Sequence, residues 1–284
     1  MPSVRGSRPT TSTRGRETRG KEERQAFPDG VAGMTAPRTK SNRFRTALVA
    51  GTITGSALLI GAGGCSSSSS SDPPSKKTID PRNFTARVDN PYFPLEPGTT
   101  WRYRGVKDGK RLLNVVTVTQ RVKKIIGVPT VVLRDRAFLA GKLAEDTTDW
   151  YTQDRNGTVW YFGEATKELD RKGNVTSTEG SWQAGMNRAR PGIFMPAHPR
   201  VGDSFSQEHL KGHAEDHFRV MSLSAPVRVP FGNFTNAIRT KEWTPLEPGV
   251  IDAKFYVRGI GEVKEAAVKG PRELGVLVSM KKAR

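Results

Sequence analysis

Few side chains in this 284-residue chain are placed to do chemistry: one cysteine, two carboxylates among aromatic rings on a predicted hairpin, and four histidines. Cys65 stands where an apolar run meets a polar one, in "ALLIGAGGCSSSSSSD". A lone thiol closes no internal disulfide and builds no Cys-rich zinc site. The hairpin is "DTTDWYTQDRNGTVWYFGE". Taking Asn156-Gly157 as a two-residue turn sets Asp149 opposite Glu164 and Gln153 opposite Trp160. Alternation then gathers Asp149, Tyr151, Gln153, Trp160, Phe162 and Glu164 on one face. Rings there could stack on a flat ligand while the carboxylates bind hydroxyls, a cation or an amine. The competing reading makes the rings ordinary core, with both acids at the rim beside arginines.

A catalytic alternative uses Asp149, Glu164 or His198 as a hydrolase site acting on envelope glycan or related material, with paired carboxylates about 5 to 10 Å apart. His198 lies between Pro196 and Pro199, which suits a turn better than a general base. His209, His213 and His217 are spaced by four, and on a helix they would align as metal ligands. Gly212 interrupts them and both flanks alternate like strands, so they are expected to scatter around a hairpin and hold no metal. No GxSxG, HExxH or P-loop pattern occurs, and no cofactor is expected.

The elements that must position these groups begin far down the chain. Residues 1–33 are rich in Arg, Gly, Ser and Thr, with too few apolar side chains to offset the entropy of ordering, and are expected to be disordered. From Met34 a basic segment with Arg38, Lys40, Arg43 and Arg45 leads into an uncharged stretch over residues 46–64. That is the order of a secretory signal peptide, and its ordinary 12-residue basic region makes Met34 the expected start. Ala62, Gly63, Gly64 and Cys65 resemble a bacterial lipobox, with Ala62 where Leu, Val or Ile is usual. The resemblance implies cleavage before Cys65, lipid on its sulfur, and a protein held on the extracytoplasmic face of the cell membrane. The alternative is an uncleaved anchor of about 19 residues. Gly51, Gly55, Gly61, Gly63 and Gly64 weigh against it. Six serines and a Pro-broken stretch make residues 65–82 a tether, whose flexible part of roughly 17 residues reaches about 20 to 25 Å.

The whole chain carries +18, and residues 65–284 keep 35 bases against 24 acids. That excess would favour anionic lipid or wall polymer. It forms no dense basic stripe interleaved with aromatics, so nucleic acid is not an expected partner.

Residues 83–284 read as a single domain, mainly β: an antiparallel meander closing into a barrel or a sandwich. Blocks such as "LLNVVTVTQRV" and "TVVLRDRAFL" are separated by Asp108-Gly109, Gly141-Lys142 and Asn156-Gly157. Asp-Gly and Asn-Gly are pairs that tolerate the positive φ of two-residue hairpin turns. Only "SWQAGMNRAR" has a briefly helical look. "PLEPG" occurs at 94–98 and again at 245–249, each copy expected to deliver a strand to an edge or corner.

The blocks "DNPYFPLEPGTTWRYRG", "DWYTQDRNGTVWYFGE", "PGIFMPAHPRVGD" and "KEWTPLEPGV" resemble signature blocks of a family of actinobacterial lipoproteins and secreted proteins without established activity. The resemblance implies extracytoplasmic location and a domain spanning about residues 89–265. It implies no catalytic residue. The expectation is therefore a non-catalytic envelope lipoprotein binding a small or amphipathic ligand, a wall component or a partner protein.

Overall fold

The computed structural model describes residues 79–283. The segment expected to be disordered, the signal peptide, Cys65 and the tether as far as residue 78 lie outside the described residues. Within the stretch read as tether, Asp80 caps a single 3-10 turn at Pro81–Asn83, its carboxylate accepting from the Arg82 amide.

Strands follow in chain order: β1 (Phe84–Thr85), β2 (Thr100–Lys107), β3 (Lys110–Ile125), β4 (Val128–Leu139), β5 (Lys142–Asp154), β6 (Val159–Leu169), β7 (Val175–Ser177) and β8 (Trp182–Gln183). Then come β9 (Arg190–Met195), β10 (Ser204–Ser206), β11 (Glu208–His209), β12 (His217–Val229), β13 (Gly232–Trp243), β14 (Ile251–Val257), β15 (Gly261–Lys269) and β16 (Glu273–Lys281). They form one sheet in the order β10-β12-β13-β14-β15-β16-β2-β3-β4-β5-β6-β9-β11, with β1 added to β5 and β7 and β8 to β6. Every pairing is antiparallel. No α-helix occurs among the described residues. In "SWQAGMNRAR", Trp182 and Gln183 pair with β6, and Gly185, Asn187 and Arg188 take positive φ, which ends any helical path.

The two ends of the sheet are joined by one segment. β10 pairs with β12 and, one residue later, β11 pairs with β9. Only Gln207 separates them, its amide donating to the Asp216 carbonyl at 2.7 Å. A sheet whose two edges share six residues of chain is nearly closed into a barrel, which leaves little edge for unwanted pairing. Gly192 is required here: a Cβ on it would collide with the carbonyls of Ser206 and Gln207.

The turns that set the register are mostly the expected kind. Asp108 (φ 49°) and Gly109 (φ 71°) connect the paired Lys107 and Lys110. The β3–β4 hairpin turns on Ile126 and Gly127, and the β4–β5 hairpin on Ala140 and Gly141, one residue before the expected Gly141-Lys142. The first "PLEPG" leads into β2 and buries Leu95; the second leads into β14.

A small outer layer covers one side of the barrel. The register between β3 and β4 shifts after Val118, and the far end of that hairpin lies over the outer face of β5. Lys123 Nζ sits 3.3 Å above the Trp150 ring. Phe84 meets Trp160 and Phe162 edge-on at 5.9 and 5.8 Å. Phe162 is fully buried in this layer, outside the lumen.

Candidate functional site

The lumen is built by strand alternation. On β5 it selects Asp149, Tyr151 and Gln153. Across on β6, Asp149 pairs with Glu164, as the expected turn implies, but Tyr151 pairs with Tyr161 and Gln153 with Val159. The turn holds Arg155, Asn156 and Gly157, because Asp154 and Thr158 close it with a backbone bond at 2.9 Å. A bulge at Gly163 (φ 132°) restores the expected register further on. A Cβ on Gly163 would strike the Trp182 carbonyl, so this bulge needs glycine. The consequence is a correction: Trp160 and Phe162 leave the proposed ligand face for the outer layer, and Tyr161 takes their place.

One wall of the lumen is aromatic. Tyr151 and Tyr161 stack at 4.6 Å, Phe194 meets Tyr151 edge-on at 4.9 Å, and Phe93 lies 4.4 Å from Phe194. The Tyr161 hydroxyl donates to Asp149 Oδ1 at 2.7 Å. The other wall, from β13, β14 and β15, is charged. Lys254 Nζ lies 3.1 Å from Glu242 Oε2 and 3.6 Å from Glu265 Oε1. Glu242 also accepts from Thr240 at 2.9 Å and Tyr256 at 3.3 Å. Beyond it Lys107 pairs with Glu273 at 3.3 Å, both buried.

Where the walls meet, a cavity of about 90 Å³ remains. Asn114, Asp135, Asp149, Glu262, Glu265 and Lys254 line it together with Tyr103, Tyr151, Phe93, Trp101 and Phe194. Asn114 Nδ2 donates to Asp135 Oδ2 at 3.4 Å, leaving Asn114 Oδ1 and Asp135 Oδ1 buried without a donor. Gly275 also lines the cavity, and a Cβ built on it meets nothing within 4 Å.

Crowding carboxyls away from water keeps them protonated. Burial holds Asp135 well above the usual carboxylate range, and neighbouring Glu145 adds to it. Burial and Asp135 do the same to Asp149, against the hydrogen bond from Tyr161. Burial pushes Glu262 up to about 7 and Asp252 to about 8. For Lys254 burial works against the charge, but Glu242 and Glu265 outweigh it and hold the ammonium well above the ordinary lysine range.

The other expected residues fall elsewhere. Gln153 is a buried brace: its Oε1 accepts from the Asp89 and Asn90 amides at 3.0 and 2.8 Å. Trp160 Nε1 donates to Asp154 Oδ2 at 3.0 Å. His198 lines an open groove with Asn156, Arg200 and Asp203, apart from the lumen cavity. Asp149 and Glu164 are neighbours on adjacent strands of one wall, whereas glycoside hydrolysis needs carboxyls flanking a bound bond. His209 pairs with Arg190 on β9, His213 lies in the turn beyond it, and His217 stacks on Trp243 at 5.5 Å. Among the described residues no group of side chains is arranged to hold a metal ion.

Asp135, Lys254, Glu262, Glu265, Asn114 and Tyr161 were not singled out by sequence reasoning. A signal existed in "VIDAKFYVRG": Asp252, Lys254 and Tyr256 alternate, and it is their face that turns inward.

No protein-family profile matches the chain, and no curated protein matches it. Two crystal structures are similar in outline. One is a Bacteroides fragilis protein named as a candidate exported protein with a YmcC-like fold, at 16% identity and TM-score 0.39, covering 67% of this chain and 99% of that one. The other is a Parabacteroides distasonis protein named as a candidate lipoprotein, at 11% identity and TM-score 0.36, covering 67% and 98%.

Proposed function

We propose that this is an extracytoplasmic binding lipoprotein, anchored in the cell membrane through lipid on Cys65, whose barrel holds a small or amphipathic ligand without transforming it. The observation that carries the binding half is the lumen cavity at the seam of an aromatic and a carboxylate wall. Such a seam offers one apolar and one polar surface to a single guest, which is the usual make-up of a small-molecule site. The anchoring half rests on the signal-like residues 34–64 ahead of Cys65. Because many carboxylates point inward, the outer face is more basic than the net charge shows. Arg102, Arg104, Arg134, Lys264, Arg239 and Lys241 alternate with the lumen residues around the sheet. That surface suits anionic lipid or wall polymer as a neighbour.

Native mass spectrometry of the mature protein purified from its own cells tests binding: a co-purifying small molecule is expected, lost in a Gly275→Val variant. Replacing Cys65 by Ala tests anchoring. The domain should leave the membrane fraction or remain as a longer precursor, and unchanged retention at unchanged size overturns that half.

A further inference from the structure

The cavity is more specific than its walls alone require. Asp135 is 7% exposed and Asn114 6%, and each presents one oxygen acceptor that no protein donor reaches. Glu265, 1% exposed, contributes two more acceptor oxygens without hydrogen bonds, although Lys254 lies 3.6 Å from one of them. Buried acceptors left without donors are costly. Natural proteins retain few of them without a reason. Around the same space stand the rings of Trp101, Tyr103, Tyr151, Phe93 and Phe194. The one protein cation in the cavity wall, Lys254, is already committed to Glu242 and Glu265.

Resting on the binding reading above, we infer that the guest is an organic ammonium: its N–H groups donate to Asp135 Oδ1, Asn114 Oδ1 and Glu265, and its short apolar part lies against the aromatic rings. Three features select this chemistry. Unsatisfied acceptors call for a donor with several N–H bonds. Burial holds Asp135, Asp149, Glu262 and Glu265 protonated, and a cation seated among them favours their ionised form, which a neutral alcohol or an anion does not. Aromatic faces hold a desolvated cation better than they hold an anion. Size is the last constraint. A cavity of roughly 150 Å³ takes benzene, so this one takes about three to four non-hydrogen atoms by the same measure. Ethylammonium has that size.

The test is calorimetric titration of the mature protein with ethylammonium chloride, with ethanol and sodium acetate as isosteric comparisons. Ethylammonium should bind and the other two should not. Asp135→Asn should weaken it about ten-fold or more, as expected for loss of a charge-assisted bond. Gly275→Val places a branched side chain in open space on a strand, so it should abolish binding while keeping the strand signature in circular dichroism. Equal binding of ethanol and ethylammonium overturns the ammonium assignment but leaves a ligand-binding barrel. Binding of acetate alone reverses its charge. If no probe binds the wild-type protein, the cavity holds solvent only and the inference fails. Ethylammonium binding that survives Gly275→Val puts the probe outside the lumen and sinks it equally.

Discussion

Apart from Phe93, which lies in the loop before β2, the aromatic wall and the charged wall of the lumen come from the same alternation on the same sheet, yet they are held together by different physics. Tyr151, Tyr161, Phe93 and Phe194 pack by ring contacts worth about 0.5–1.5 kcal/mol per pair beyond burial. Each such contact can weaken by degrees. Lys254, Glu242 and Glu265 satisfy one another by charge, and removing one member leaves the rest buried and uncompensated. The barrel is therefore graded in its response on one side and brittle on the other. A binding cavity at their border inherits shape from the first wall and selectivity from the second.

The sharpest way to break this contrast is Lys254→Met. Its side chain is 5% exposed, and its loss strands Glu242 and Glu265. A destabilisation of about 3–5 kcal/mol is expected from breaking a buried pair, read as a lowered midpoint in urea unfolding. Adding Glu242→Gln and Glu265→Gln to the same chain should recover much of that loss, because the uncompensated charge is then gone. If Lys254→Met costs no more than a surface substitution, the charged wall is not brittle.

The walls should also part company with pH. Asp252, held up to about 8, is protonated in the folded barrel where the unfolded chain, with a pKa of about 3.9, has lost its proton. Between those values the folded state binds more protons, so stability falls as pH rises. The contribution is complete below about pH 4 and is lost on passing about pH 8. Glu262, pushed up to about 7, acts in the same direction. Lys254 and Lys107 face Asp252 and oppose the effect, whereas Glu242 and Glu273 reinforce it. Each group can contribute up to about 1.4 kcal/mol per pH unit. These carboxyls share the same neighbours, so a total loss of about 2–4 kcal/mol from pH 5 to pH 8 is expected. Scanning calorimetry should show Tm falling over that range, with a flatter profile for Asp252→Asn. A Tm that rises with pH contradicts the assignment.

That inversion also marks what could be read from the sequence. The antiparallel β domain and the Asp108-Gly109 turn were legible because alternation and turn chemistry are local. The pairing of Asp149 with Glu164 holds as expected only because the three-residue turn and the bulge at Gly163 offset each other. Tyr161 was not legible, since that turn and that bulge exchange the faces of the strand between them. The charged wall was hidden by a stronger bias. Reading alternation by hydrophobicity puts Ile251, Ala253 and Phe255 inside, whereas the folded barrel buries Asp252, Lys254 and Tyr256 and leaves the other three half-buried. Only the pairing of Lys254 with Glu265 across β15, and its ion pair with Glu242 on β13, makes that orientation affordable.

On the aromatic side a single polar contact can be removed without touching the packing. Tyr161→Phe keeps the ring stacked on Tyr151 but deletes the donor to Asp149 Oδ1. Leaving a buried acceptor unsatisfied costs about 1–3 kcal/mol, so the urea midpoint should fall by less than for Lys254→Met. A loss as large as that for Lys254→Met would mean that the aromatic wall is equally brittle.

The smallest effect should come from an ion pair of better geometry than any in the lumen. Arg134 grips Asp146 in a two-pronged bond, Nε to Oδ1 at 2.9 Å and Nη2 to Oδ2 at 2.7 Å, on the outer face. Its side chain is 50% exposed. Water solvates both partners when either is lost, so Arg134→Ala should cost about 0–1 kcal/mol and should lose even that at high salt. Lys254 sits farther from its carboxylates than Arg134 does from its own, at 3.1 and 3.6 Å. Distance alone would rank the two pairs the other way. If the measured order follows burial, with Lys254→Met several times more damaging than Arg134→Ala, desolvation rather than contact length sets the energy of the lumen. If it follows distance, the carboxylate wall is wetter than its burial implies, and the selectivity assigned to the cavity goes with it.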